Sequence, residues 1–587
     1  MKSLITSLSL AGIASASVAA NPEVDLYETL KDGTQSSPWT TEAGTIYTLS
    51  QDLTLTVGIR FPGRKYNDNG TVMDFSQGGH TLKVGGQVDV WGTPNSTLGF
   101  KGGVWDLSGN IFYGGGAWNN LDYSGVALTF DGVVISNASQ IVGQSGYGQG
   151  YTWMARGAKF HANTYMIVRG ANKDANRSAE DWSLFEFAEG SEIHAPYLFG
   201  NRDTDTPLDQ NCTIRLTGAG TRAKIRSTFE PGRKSSGYHV EIVDGATVEC
   251  GQWKIGNESA NANSNTVLVA NGGSLRAPEL EGLVGEKGSF NAVTVSNGTL
   301  SAKTVRLGTV AGSSNNVLRL AGATARLEMN SWNWRPFGPT MGNAVMIDDH
   351  ANVGIRDGSQ LDFCSSDAVP STGNAFCVAN GATFTTRYLY PAKAAGSTGN
   401  LVFVGADATL DLIDLNLSTN IGNAVVISNG TVRYSGDYGF FVGGDPATGK
   451  GNVCRVKGTR AKIRSTNDSD SKKCFSTFRN GALLEFDVSE FSEANAEPIF
   501  DVMNFGMNAG TTLSVVGVEA MQKRIGQATT LVLAQVPDGM KISIDADVLT
   551  AAQAALPPRC SLSVSSDGRQ LRFRAKRLNV GVLVIIR

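Results

Sequence analysis

Charged residues are scarce in this chain, at 18% of 587 residues, and neither sign dominates. Lys and Arg number 50 against 53 Asp and Glu, which gives a formal net charge of −3. Without a basic excess to neutralise phosphates, this composition argues against general nucleic-acid binding. Histidine is rarer still, at five residues. The five residues share no spacing, which leaves little for acid–base chemistry at neutral pH; they are His80, His161, His194, His239 and His350.

Motifs for metals and nucleotides are missing as well. The chain has no Cys-x-x-Cys pair, the commonest signature of a structural zinc site. The stretch Gly444–Lys450 nearly matches a phosphate-binding loop, but Gly451 stands where that motif needs Ser or Thr. We therefore expect no cofactor and no metal.

Long apolar runs are absent after the first twenty residues. Lys2 precedes an apolar stretch from Leu4 to Val18, and small residues up to Ala19 and Ala20 suit cleavage by a signal peptidase. Residues 1–20 are therefore predicted to be a signal peptide. No later run approaches the ~18 apolar residues of a membrane-spanning helix. We expect an exported protein without a transmembrane helix, extracellular or at the cell surface, with the periplasm as an alternative.

The cysteines fit an exported protein, because export permits disulfides. Pairing in sequence order is the simplest prediction and leaves Cys560 over: Cys212 with Cys250, Cys364 with Cys377, and Cys454 with Cys474. Sequence does not fix connectivity, and a set of buried thiols is the alternative.

Glycine is abundant, at 70 residues, and it marks an internal repeat. Each copy has an Asn, an alternating apolar run, a Gly-containing turn and a second alternating run. Eight copies open at Asn265, Asn291, Asn316, Asn343, Asn374, Asn400, Asn423 and Asn452, with spacings of 23 to 31 residues. The nine residues Gly220–Thr228 also recur unchanged as Gly458–Thr466. A fixed period of this kind is typical of repeat architectures.

Each copy is predicted to contain two strands on either side of a tight corner. In Val425–Tyr434, β-branched residues alternate around Asn429-Gly430, and Asn-Gly favours the positive φ of a sharp turn. A hairpin is the usual interpretation. The period of about 27 residues instead favours one coil of an all-β parallel β-helix, a β-solenoid whose coils stack and share one core. Roughly twelve coils should fit between residues 180 and 500.

The prediction divides the chain after the signal peptide into three regions. Residues 21–160 form an irregular N-terminal cap and first coils, residues 161–500 the regular coils, and residues 501–587 a C-terminal α+β cap. Caps are expected because bare end strands aggregate. In the last region, Val518–Ile525 and Val548–Leu556 are predicted helices, and Leu562–Phe573 is a predicted hairpin.

The signal peptide, the Asn-Gly coils and the closing Ser566–Leu571 hairpin resemble passenger domains of autotransporters and related bacterial adhesins. More broadly, they resemble the right-handed parallel β-helix of the pectin-lyase-like superfamily. The resemblance covers most of residues 40 to 575 and implies the handedness. An autotransporter also carries a C-terminal membrane barrel, and the residues after Arg572 suffice for one strand, so we expect no translocator barrel.

Two clusters are candidate sites. Asp203, Asp205 and Asp209 form the densest acid cluster; such carboxylates serve glycoside hydrolysis or calcium binding, and a solvated loop is the alternative. Trp91, Trp105, Trp118 and Trp153 lie among Gly-rich turns. They would stack on sugars if exposed, or fill the first coils if buried.

These observations favour an exported structural or adhesin-like rod that contacts glycans or other cell-surface components. The rival hypothesis is a carbohydrate-active enzyme, a polysaccharide lyase or glycoside hydrolase on the same scaffold, because fold does not determine function. The sequence leaves the oligomeric state and the substrate open and gives no catalytic residue.

Overall fold

Stacked parallel strands make up most of the secondary structure of the molecule. The structure is a computed structural model that describes residues 21–32, 38–61, 69–90, 97–114, 126–144, 151–169, 171–172, 183–200, 209–355, 359–364, 366, 369–417, 420–436, 439–444, 451–465 and 474–578. The strands of this part of the chain form three sheets that run along one axis. The predicted all-β parallel β-solenoid is confirmed.

The first sheet has twenty strands among the described residues. They are Glu23–Asp25, Ile46–Thr48, Asn69–Asp74, Thr97–Lys101, Ala127–Asp131, Thr152–Arg156, Ala171–Asn172, Ser183–Ala188, Asp209–Thr217, Ser236–Val243, Thr266–Ala270, Ala292–Ser296, Val317–Ala321, Ala344–Asp348, Ala375–Val378, Leu401–Val404, Ala424–Ser428, Val453–Lys457, Leu483–Asp487 and Thr512–Val516.

The second sheet covers the N-terminal half of the rod. Its strands are Trp39–Thr40, Leu53–Leu55, Ile59–Phe61, Thr81–Val84, Val88–Val90, Val104–Asp106, Ile111–Gly114, Val134–Gln144, Lys159–Arg169, Glu192–Phe199, Arg222–Glu230, Thr247–Ile255, Ser274–Ala277, Gly282–Val284, Thr299–Ala302, Val305–Leu307 and Arg326–Met329.

The third sheet continues this side of the rod to its C-terminal end. Its strands are Asn333–Trp334, Asn352–Gly354, Gln360–Asp362, Thr383–Tyr390, Thr409–Leu417, Thr431–Tyr434, Phe440–Val442, Lys462–Ser465, Phe475–Phe478, Phe500–Asp501, Asn504–Met507, Ala528–Gln535, Ser543–Ile544, Cys560–Val564 and Gln570–Lys576.

Each coil contributes one strand to the first sheet and then one bent strand, or two short ones, to the second or third sheet. Ala424–Ser428 pairs in parallel with Val453–Lys457 one coil later, and Thr431–Tyr434 pairs with Lys462–Ser465. The strands on either side of the Asn429 corner therefore belong to different sheets, which excludes the hairpin alternative. From Ser183–Ala188 to Leu483–Asp487, the described first-sheet strands that pair in parallel number twelve, as predicted.

Strict alternation places one side of every strand in a common core. In Ala292–Ser296, Val293 and Val295 are fully buried, whereas the residues between them face outward. Because the strands pair in register, equivalent residues of successive coils stack inside the rod. A single coil could not bury these side chains alone, so the stacked array is the unit of stability.

The Asn that opens each repeat is buried and forms a hydrogen-bonded ladder. The side-chain Oδ1 of each Asn accepts the backbone N–H of the equivalent residue in the preceding coil, at 2.9–3.1 Å. This pattern runs without a break from Tyr238 N–H to Asn452 Oδ1. All eight side chains are at most 1% exposed. The ladder satisfies the backbone at a buried corner, which explains why Asn recurs there.

Short helices occur at both ends of the rod, and an antiparallel hairpin occurs at its C-terminal end. The helix Leu26–Leu30 follows the first strand and buries Leu26 and Leu30. The helices Val518–Arg524 and Ala546–Ala554 follow the last coils. Cys560–Val564 and Gln570–Lys576 form the predicted hairpin, which pairs antiparallel with Ala528–Gln535. None of the helices in the described residues has the length and apolar character required to cross a membrane.

Candidate functional site

An open groove lies on the outer surface of the second sheet, where four long strands bend. The strands are Lys159–Arg169, Glu192–Phe199, Arg222–Glu230 and Thr247–Ile255, and their pairing shifts register at the bend. The groove has a volume of about 660 Å³ and crosses several consecutive coils. Bulges of this kind re-aim side chains and are common beside binding sites.

Polar residues of these strands form a single row in the groove. His161 pairs with His194, His194 with Lys224, and Lys224 with Glu249. Each lies between two buried residues, as Lys224 lies between Ala223 and Ile225, so each must point outward. Arg226 and Glu279 line the groove beside this row.

Glu192 forms a cluster of ion pairs next to the groove residue His194. Its carboxylate lies 3.0 Å from His194 Nε2, 2.9 Å from Arg222 Nη2 and 3.5 Å from Lys159 Nζ. The hydrogen bond from His194, followed by that from Arg222, lowers the pKa of Glu192 to about 2. Glu192 is therefore ionised across the physiological range and compensates its cationic neighbours.

The two groove histidines are in contact with each other. Their ring centroids are 4.7 Å apart. Burial, and then the neighbouring His194, lower the pKa of His161. The Nε2 atom of His161 is buried and has no hydrogen-bond partner among the described residues. An unsatisfied ring nitrogen of this kind therefore lies beside the groove that His161 lines.

The nine-residue duplication gives an internal comparison for Lys224 and Arg226, the lysine and arginine of the groove. In the second copy, Lys462 and Arg464 lie 3.2 and 3.0 Å from the Glu497 carboxylate. In the first copy, Lys224 and Arg226 are exposed, and the described residues give neither of them an ion-pair partner. Identical sequences thus produce two ion-paired cations in one place and two cations without an ion pair in the groove.

Comparison with protein-family models finds no match, and comparison with curated proteins finds no match either. What the groove binds must therefore be argued from its own side chains.

The predicted aromatic site is wrong for the two tryptophans that the structure describes. Trp105 and Trp153 are 0% exposed, and they stack in the core on Phe75 and Phe130, with ring centroids 5.5 and 4.4 Å apart. Neither can stack on a sugar, and they fill the first coils as the alternative proposed. Trp91 and Trp118 lie outside the described residues.

The other candidate residues lie largely outside the described part of the chain. Asp203 and Asp205 are outside it, and Asp209 begins a strand whose first side chains are not described. The cleavage residues Ala19 and Ala20 also lie outside. These predictions stay untested.

The predicted disulfides do not form in the structure, which holds all seven cysteines as thiols. Cys212 belongs to the first sheet and Cys250 to the second. Cys364 is fully buried against Ser397, whereas Cys377 lies on the outward side of its strand. Cys454 is in the first sheet, and Cys474 leads into the third. Proximity in sequence misleads because successive segments of a coil enter different faces of the rod.

Thiol titration checks this correction. We expect protein purified from an oxidising compartment and unfolded in guanidinium without reductant to react at seven thiols per chain. The native protein should react far more slowly, because burial raises the pKa of Cys212, Cys250 and Cys454 and keeps the reactive thiolate rare. A count of five or fewer in the unfolded chain would show that a disulfide had formed.

The histidine row was missed in the sequence, where the five histidines seemed unrelated in spacing. His161 and His194 in fact stand in equivalent positions of adjacent coils. The signal was present in Lys159-Phe-His161-Ala and Glu192-Ile-His194-Ala, which share one outward–inward pattern. It was obscured because this coil is 33 residues long, more than any of the repeats that established the period.

Proposed function

We propose that this protein is an exported β-solenoid that acts at or beyond the cell surface as an adhesin-like rod, and that its groove binds an acidic glycan. The observation that carries this proposal is the pair of exposed cations, Lys224 and Arg226, without ion-pair partners in an open groove. The resemblance to autotransporter passengers and bacterial adhesins supports the cellular setting.

The two halves of the groove suit different groups of such a ligand. Lys224 and Arg226 can bind carboxylate or sulfate groups, for which Arg offers a bidentate fork. Glu249 and Glu279 at the other end can accept hydrogen bonds from sugar hydroxyls. A groove that is open and crosses several coils accommodates an extended chain rather than a compact metabolite.

The test is a binding measurement on the mature chain with polygalacturonate, alginate and chondroitin sulfate, and with neutral dextran as the control. We expect saturable binding of at least one acidic polymer, weakened by salt, and none of dextran. Equal binding to dextran, or no binding to any acidic polymer, would overturn the proposal.

A carbohydrate-active enzyme on the same groove is the second candidate. The observation in its favour is that an acid, Glu249, shares a row with Lys224 and His194 on adjacent coils. Such a set could supply acid–base groups beside a bound acidic sugar. Reducing ends or unsaturated uronates released from the bound polymer, and lost in Glu249→Gln, would favour this candidate over pure binding.

Binding should strengthen as the pH falls from about 7 to about 5. The pKa of His161 lies below its usual value, so this ring is neutral at pH 7 and gains a positive charge on acidification. An anionic ligand favours the charged form, and the charge of Glu192 stays constant because its pKa is about 2. The dissociation constant, measured across this range by calorimetry, should therefore decrease with falling pH.

The matched variants are His161→Gln and His80→Gln. The first should reduce the pH dependence, whereas the second should keep it, because His80 lies near Asp52 in an earlier coil. An unchanged pH profile in His161→Gln would contradict this role of the ring.

A further inference from the structure

The outward side of the first sheet changes character along the rod. In its N-terminal half it carries ion pairs such as Arg215 with Glu186 and Glu241. On four later consecutive strands, the outward positions of the two central rows are all occupied by nonpolar side chains or a thiol. We name this surface the apolar face, and its strands are Ala344–Asp348, Ala375–Val378, Leu401–Val404 and Ala424–Ser428.

The apolar face has substantial side chains that remain partly open to solvent. Met346, Leu401, Phe403 and Val426 are all partly exposed, although the inward residues of the same strands are completely buried. At the corner that leads into this side of the rod, Met341 is 61% and Ile421 is 50% exposed. Contiguous apolar surface of this kind indicates an interaction site.

Charged residues border the apolar face at both ends, in the same order along the rod. At its start, Arg319 on the preceding strand has Nη2 2.6 Å from Oδ2 of Asp348, the last residue of the first strand of the face. After it, Arg455 Nε lies 2.5 Å from Glu485 Oε1. In each pair the cation comes first and the carboxylate one coil later. The surface is therefore neutral overall but has a directional charge pattern.

This pattern is complementary to itself when the rod is reversed. A two-fold axis along the strand Leu401–Val404 places Arg319 of one copy opposite Glu485 of the other. The same axis brings Asp348 opposite Lys457, since their strands lie equally far from the axis. A parallel arrangement would instead bring each charged strand against itself. Isologous interfaces require this kind of self-complementarity.

We infer that the apolar face is an interface at which a second copy of this chain docks antiparallel, with Leu401 and Phe403 of both copies at its centre. Rods joined in this way present their grooves in opposite directions along a common axis. The inference does not depend on what the groove binds.

Disulfide trapping tests the register. In the antiparallel pair, Val426 of one copy lies opposite Cys377 of the other, so Val426→Cys should form a covalent dimer with a copper–phenanthroline oxidant. Within one chain these positions are two strand spacings apart, about 10 Å, which is beyond the reach of a disulfide. Burial raises the pKa of Cys377 to about 11, so the oxidation is run at alkaline pH.

Two controls make the trapping specific. Leu268→Cys adds a thiol to the same outward row outside the apolar face, and Cys377→Ser in the Val426→Cys chain removes the partner thiol. We expect strong dimer formation for Val426→Cys and little for either control. Equal cross-linking in the Leu268→Cys chain, or none in a folded Val426→Cys chain, would overturn the inference.

Sedimentation of the chain without added cysteines measures the association itself. The protein should be a dimer at high concentration, and Phe403→Asp should shift it to monomer. Thr385→Asp, the same change at an exposed position of the third sheet, should leave the dimer intact. A protein that stays monomeric at every concentration would assign the face to another partner and overturn the inference.

Discussion

Replacing Lys224 and Arg226 together by glutamate should weaken binding of the acidic glycan by roughly 100-fold or more. Each charge-assisted contact is worth about 1.5–3 kcal/mol, and about 1.4 kcal/mol corresponds to a tenfold change. The variant should fold normally, because both side chains are exposed and the buried Ile225 between them is unchanged. The loss is measured by calorimetry with the polymer that binds the wild-type chain.

The duplicated segment provides a control with the same chemistry. Lys462→Glu with Arg464→Glu makes the identical change in the identical local sequence, away from the groove. These cations already pair with Glu497, so binding should change by less than about twofold. If both double variants lost affinity equally, the effect would be one of net charge, and the groove would not be the binding site.

Asn343→Ala should be among the most destabilising single substitutions in the rod. Asn343 Oδ1 accepts the backbone N–H of Asn316 at 2.9 Å, and its Nδ2 donates to Thr340 and Asn374. Truncation leaves several buried polar groups without partners, at about 1–3 kcal/mol each, or about 3–5 kcal/mol in total. The cost falls on the adjacent coils, since a solenoid is stabilised by nearest-neighbour contacts.

Hydrogen exchange followed by mass spectrometry measures this cost locally. Protection of the peptides that contain Asn316 and Asn374 should decrease, while the first coils keep theirs. Asn352→Ala, at an exposed position of a neighbouring strand, should leave exchange unchanged. Equal protection in the two variants would show that the ladder contributes no stability.

The period of the sequence predicted the fold because one signal, the recurrent Asn, coincides with a structural necessity. A second set of asparagines, at the turns between the strands of a coil, also has a clear cause. Asn297 and Asn429 adopt φ of 56° and 57°, a region that Asn tolerates better than most residues. For the two C-terminal helices and the closing hairpin, most of the predicted first and last residues lie within two residues of those in the structure. These segments could be recognised because their periodicity differs from that of the coils.

The candidate site was much less predictable. Its residues are adjacent through register, which depends on how each bend shifts the pairing, and not through spacing along the chain. The tryptophans misled for a related reason: a large ring in a Gly-rich stretch fits a binding loop or an irregular core equally well. In this case Trp105 and Trp153 are core residues because they occupy the inward positions of their strands.

The spacing between ladder asparagines varies from 23 to 31 residues, yet the ladder itself is continuous. Length differences are thus absorbed where the backbone turns, and the strands above and below keep their pairing. A surface loop can therefore be longer or shorter on one coil without disturbing the strand pairing of the others. The exterior of the rod can therefore differ from coil to coil while the stacked interior stays the same.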